Sequence, residues 1–216
     1  MNFKLALNKL FRELSGDGFI ETSDPQIVHD NFHTNRKAHT AFLKPEEEKI
    51  DTLNKAFKEL KAWIDPERMD DLHIVAAYGD NGNVDISSYY ADPNDPENFS
   101  KNTYINLPKE KVDAVLTAYE DMTTDVITGG YNIVIKGGSS EIATEWHQDA
   151  NIGPDEDDDN LLVGIFGFEN TPHTTRFKGL LGDIEAPVDH ICFIDGNETH
   201  KTPETPRPTI QIYALD

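Results

Sequence analysis

Residues 145–149 read Glu145-Trp146-His147-Gln148-Asp149, and a second histidine follows far downstream in Phe193-Ile194-Asp195-Gly196-Asn197-Glu198-Thr199-His200, with Arg207 shortly after. In an extended strand, residues two apart point to one side, so His147 and Asp149 can face a common ion while Gln148 points away. A third ligand must come from another strand, so a long gap before His200 is expected. Two histidines and one carboxylate arranged in this way are the facial triad that holds Fe(II) on three positions and leaves the opposite face open. A His-x-Asp pair alone is also common as a surface hydrogen bond, so the surrounding chain has to support the metal reading.

Outward from that stretch, the second half of the chain has the texture of strands and turns. Tyr131–Lys136 alternates, residues 142–150 carry the His-x-Asp, and Leu161–Phe168 is apolar throughout, as a strand buried on both faces should be. Further strands are expected over 174–180, 186–194 and 209–215. The first half is mixed. Residues 2–15 have helical spacing and stop at Ser15-Gly16-Asp17-Gly18, and Phe19–Thr22 reads as a strand. The polar stretch 24–44 holds His29, His33 and His39, which have no ligand spacing and read as solvated. A helix is expected over 45–63, with Ile50, Leu53, Phe57, Leu60 and Trp63 as its buried stripe. Strands 73–78 and 84–90 are joined by a glycine-rich turn, 91–99 is a loop, and 108–122 is a helix with Val112, Val115, Leu116 and Tyr119 inward.

Helices confined to the first half and short strands in the second imply an α+β, mainly β fold. The expected architecture is a double-stranded β-helix (jelly-roll, cupin-like) core with flanking N-terminal helices. One domain is expected, with 1–125 as helical and strand support and 126–216 as the metal-binding core. The 216 residues include 40 Asp and Glu against 19 Lys and Arg, a formal net charge of -21. That balance disfavours tracking of nucleic-acid phosphates or an anionic membrane, and suits a soluble protein or a cationic ligand. The single cysteine, Cys192, sits in an apolar run, so no intramolecular disulfide is possible and a reducing compartment fits. No run approaches the ~20 apolar residues of a membrane span, and no secretory leader is visible, so a cytoplasmic location is expected.

The residues resemble the Fe(II)/2-oxoglutarate-dependent dioxygenases. The shared pattern is a strand with Tyr or Asn, a glycine, His-x-Asp, a distal His and a basic residue on the final strand. Here Tyr131-Asn132, Gly137-Gly138, His147-x-Asp149, His200 and Arg207 stand in that order. The resemblance implies a metal held by His147, Asp149 and His200, with Fe(II), 2-oxoglutarate as cosubstrate and O2 consumed, and succinate and CO2 released. Arg207-Pro208-Thr209 is similar to the element that grips the distal carboxylate, and Tyr131, Asn132 and Thr175 are implied at the cosubstrate. Arg207 follows His200 by only seven positions, so Arg176 is an alternative partner for that carboxylate or a contact for the substrate. Asp149 fills the coordination position that halogenating members leave small, which favours hydroxylation.

The implied substrate is a small molecule or an amino acid. The loop 151–160, with Asp155 and Asp157 in its acidic run, is placed to attract a cationic group, although a solvated loop has the same composition. Trp146 is a further candidate at the substrate. Two other readings stay open: an oxygenase of the same class acting on a protein side chain or, against the charge, a nucleobase; and a cupin-like metal-binding protein without catalysis. The sequence does not fix the oligomeric state.

Overall fold

The computed structural model describes residues 19–35, 37–79, 82–95, 98–138, 146–148, 161–169, 176–177, 184–196, 198–201 and 208–215, with Arg176, Phe177 and Leu215 described by backbone alone. The expected helix over 2–15, its Gly16–Gly18 stop and the acidic loop 151–160 lie outside the described residues.

The chain enters through β1 (Phe19–Thr22), a short helix α1 (Pro25–Asp30) that runs into a π turn over Asn31–Asn35, and β2 (Thr40–Leu43). Asp24 caps α1, its carboxylate accepting from Gln26 N at 3.0 Å, and Pro25 takes the first helical position. Helix α2 (Glu47–Lys61), β3 (Leu72–Tyr78), β4 (Val84–Tyr90), β5 (Thr103–Tyr104) and helix α3 (Lys109–Thr123) follow. Then come β6 (Gly130–Lys136), β7 (Leu161–Gly167), β8 (Arg176–Phe177), β9 (Ile184–Glu185), β10 (Ile191–Asp195), β11 (His200–Lys201) and β12 (Thr209–Leu215).

Among the described residues, nine strands form one sheet in the order β1-β2-β10-β7-β12-β6-β3-β4-β5, and β11-β8-β9 form a second. A single antiparallel bridge, His147 to His200, adds a fourth position to the small sheet. From β6 onward the chain therefore passes between the sheets: β6 in the large one, the His147 bridge in the small one, β7 large, β8 and β9 small, β10 large, β11 small, β12 large. This winding is a double-stranded β-helix, with β1–β5 extending the large sheet at both edges. The described helices all precede β6.

The faces of the large sheet differ. On one, Ile74, Ile133, Ile135, Phe166, Phe193, Ile210 and Ile212 pack with Leu53, Phe57 and Leu60 of α2 and Val115, Leu116 and Tyr119 of α3. Phe57 stacks on Phe168 at 3.7 Å, and the Tyr119 hydroxyl donates to Gly164 O at 2.8 Å. The other face meets the small sheet: Phe19, Phe42, Val163, Ile165, Cys192 and Ile194 pack with Ile184 of β9 and Ala186. Two glycines are required by close approach. A Cβ on Gly164 would lie 2.8 Å from the Phe193 ring and 2.9 Å from Ile212, and one on Gly137 would lie 1.7 Å from Met69 O.

Four expectations need correction. Trp63 leaves the buried stripe: α2 ends at Lys61, and the ring, in the following turn, is 60 % exposed. The strand expected over 186–194 is broken between Glu185 and Ile191, where Asp189 takes a positive φ of 61° that a continuous strand does not allow. The polar stretch 24–44 contains α1 and the wholly buried β2. Within it His33 is not simply solvated, because its Nε2–H donates to Val126 O at 2.8 Å. His39 fits the solvated reading better, its side chain 48 % exposed beside Asp195 at 3.3 Å.

Candidate metal and anion site

Residue 147 and residue 200 are hydrogen-bonded partners. His147 N donates to His200 O and His200 N to His147 O, both at 3.0 Å. Directly opposed residues of an antiparallel pair put their side chains on one face. The two imidazole rings accordingly stand 4.5 Å apart between centroids, inclined at 57°. The register of the small sheet puts them in the same cross-strand row as Ile184. Since Ile184 packs into the core between the sheets, that row faces the interior.

His200 is 2 % exposed. Its Nδ1 lies 2.9 Å from Glu198 O. A carbonyl only accepts, so Nδ1 carries a proton, and Nε2 is the ring nitrogen through which the neutral imidazole would ligate a metal. The neighbouring pair braces the bridge from the other side: the Lys201 ammonium sits 4.7 Å above the Trp146 ring. Trp146 therefore occupies the alternate row, turned away from the histidines, with Lys201 over its ring.

Two imidazoles held rigidly on one face suit an ion of the imidazole-preferring transition series. Asp149, the expected third ligand, lies outside the described residues, as do Thr175, Arg207, Asp155 and Asp157. Among the described residues no three His, Cys, Asp or Glu side chains form a metal-holding group. Arg176 pairs with Lys201 and Glu185 in the strand register, and only its backbone is described.

Tyr131 does not join this site. Its hydroxyl donates to Glu120 of α3 at 2.9 Å and its ring packs on Tyr78 at 4.5 Å, on the helix-covered side of the sheet. Burial, and then the bond to Glu120, pushes the phenol up to about 12. This placement gives no support to its expected cosubstrate role: alternation along β6 turns it to the helix-covered face. Asn132, one residue on, takes the face turned to the small sheet, but it is exposed and its side-chain oxygen accepts from Tyr78 N at 3.3 Å.

That inner face carries a polar chain the sequence reading missed. Thr209, Gln211 and Tyr213 alternate along β12 with Ile210, Ile212 and Ala214. The Lys136 ammonium lies 3.5 Å from the Tyr213 hydroxyl, the Tyr213 hydroxyl donates to Gln211 Oε1, and Gln211 Nε2 donates to Thr209 Oγ1 at 3.3 Å. Thr209 and Gln211 are 5 % and 6 % exposed, so these polar groups are inside the fold. Next to Lys136 in the register stands His73, stacked on Tyr89 at 5.3 Å. Burial, and after it the Lys136 charge, pulls His73 down to about 4, against a smaller opposing pull from Asp71. The visible signal was a polar residue at every second position of an otherwise apolar final strand.

No protein-family model and no curated protein matches the sequence. Among solved structures, the chain is similar to a Pseudomonas putida prolyl-4-hydroxylase, at 11% identity and TM-score 0.47, over 89% of this chain and 98% of that one. It is also similar to an oxidoreductase of the 2OG-Fe(II) oxygenase family from Burkholderia pseudomallei, at 12% identity and TM-score 0.44, over 88% and 89% of the two chains. A third likeness is to NgTET1 in complex with 5mC DNA, at 12% identity and TM-score 0.40, over 100% and 92%.

Proposed function

We propose that the chain is a non-haem Fe(II)- and 2-oxoglutarate-dependent oxygenase that hydroxylates a small molecule or an amino acid. The observation that carries this reading is the His147–His200 pair: two imidazoles 4.5 Å apart on one face, their backbones joined by reciprocal hydrogen bonds, with His200 buried and its Nδ1 directed to Glu198 O. Asp149, two residues beyond His147, is the proposed carboxylate ligand. Bound iron supplies the activation of O2 that is coupled to conversion of 2-oxoglutarate into succinate and CO2.

The chain's own residues supply position and exclusion of water. The backbone bridge sets the distance between the two ligand strands and puts both imidazoles on one face. Glu198 O holds the His200 ring in one orientation. The apolar layer of Val163, Ile165, Cys192, Ile194 and Ile184 between the sheets excludes solvent beside the site. The net charge of -21 favours a small or cationic substrate over a nucleic acid, whose phosphates it would repel.

The test is succinate formation from 2-oxoglutarate by the Fe(II)-loaded protein, with and without a panel of free amino acids. Turnover is expected in the wild type and its loss in His147→Ala and in His200→Ala. Unchanged turnover in either variant contradicts the assignment.

A further inference from the structure

We infer that Lys136, delivered by β6 rather than by the final strand, is the cation that binds the distal carboxylate of 2-oxoglutarate, with Thr209 beside it and Tyr213 and Gln211 orienting both. This deepens the oxygenase reading and rests on it.

The direction of the hydrogen bonds carries the inference. The ammonium donates to Tyr213, Tyr213 donates to Gln211, and Gln211 donates to Thr209. Each of these oxygens thus receives a donor, and donor capacity remains on two N–H groups of Lys136, the second N–H of Gln211 and the hydroxyl of Thr209. Lys136 and Thr209 are direct cross-strand partners, so the two ends of the chain of bonds belong to neighbouring positions of the sheet. The Tyr213 contact keeps the lysine side chain bent back along the inner face, where Tyr213 itself packs against the layer that includes Ile184.

A part-buried ammonium is held at a cost unless an anion answers it. Lys136 forms no ion pair among the described residues, although the chain carries 40 Asp and Glu. Its immediate partners carry no negative charge: Thr209, Gln211 and Tyr213 are neutral polar groups and His73, its other cross-strand partner, is held neutral, while the Asp71 carboxylate that acts on His73 is paired with Arg68 at 3.0 Å. An ammonium with two N–H donors left over and a neighbouring hydroxyl on the same inner face suit an acceptor-only group such as a carboxylate. The row containing Lys136 and the row containing His147 and His200 face the same interior from opposite sheets. A short dicarboxylate can engage the ligand histidines' ion at one end and Lys136 at the other.

Calorimetric titration of the Mn(II)-loaded protein tests this. 2-Oxoglutarate should bind the wild type, and Lys136→Met should weaken binding at least about tenfold, the usual worth of a charge-assisted hydrogen bond. Lys136→Arg should retain most of the affinity, which separates loss of charge from misfolding. 2-Oxobutyrate, which lacks the distal carboxylate, should bind wild type and Lys136→Met alike. Equal 2-oxoglutarate affinity in wild type and Lys136→Met overturns the assignment, as does a loss on Arg207→Ala with none on Lys136→Met. Failure of the Mn(II)-loaded wild type to bind 2-oxoglutarate at all is a separate outcome, which overturns the oxygenase reading and this one together.

Discussion

Protonation of His73 should destabilise the fold, and the size of the effect follows from its surroundings. The ring is part-buried between the Lys136 chain and the Tyr89 ring, and its pKa falls from the ordinary 6.5 to about 4, chiefly through burial and then through Lys136. A histidine with a depressed folded pKa binds fewer protons in the native state than in the unfolded one. Its contribution to stability is therefore present above about pH 6.5, is lost as pH falls, and is fully lost below about pH 4. Between about pH 7.5 and about pH 5.5 the linkage relation gives a loss of about 1.3 kcal/mol, or about 1 kcal/mol after discounting for the ring's remaining solvent contact. Urea unfolding of wild type and His73→Gln at both pH values isolates this contribution, because the other titrating groups are common to the two proteins. The wild type should lose about 1 kcal/mol more than the variant. An equal loss in both would refute the reasoning. Occupation of Lys136 by a carboxylate should shrink the difference, since the repelling charge is then answered.

Tyr131→Phe should leave 2-oxoglutarate affinity and turnover unchanged and cost about 1 kcal/mol of stability, since its hydroxyl serves Glu120 on the helix side; a marked rise in the 2-oxoglutarate requirement would restore the tyrosine to the site. Gly164→Ala should lower thermal stability by about 1–3 kcal/mol, because the added methyl meets the buried Phe193 ring and Ile212 at under 3 Å. A melting temperature at or above that of the wild type would mean that the sheet can open there without strain.

The long strands were legible because their pattern has one cause. β7 is apolar at almost every position because helices cover one face and the small sheet the other, and β3, β4, β6 and β12 came out within a residue or two of their expected limits. Helix α1 is marked in the sequence only by Asp24-Pro25, since six residues give too little periodicity to count. β2 was hidden for a different reason: four residues bury wholly, yet they follow a polar stretch and end one residue before Lys44-Pro45. At the site, the two histidines were readable as ligand types, and the fold brings them together. The choice of face was not readable for Tyr131, because a strand's alternation fixes relative sides but not which side meets the metal. Lys136 was missed because its partner Tyr213 lies 77 positions away and only the pairing of β6 with β12 joins them.

The claim that His147 and His200 share one ion is tested most directly by the stoichiometry of Co(II) binding, followed by the visible absorption of the bound metal. One equivalent is expected in the wild type, with that spectrum abolished in His147→Ala and in His200→Ala while both variants keep the wild-type far-ultraviolet circular dichroism. One equivalent bound with an unchanged spectrum in either variant would contradict it.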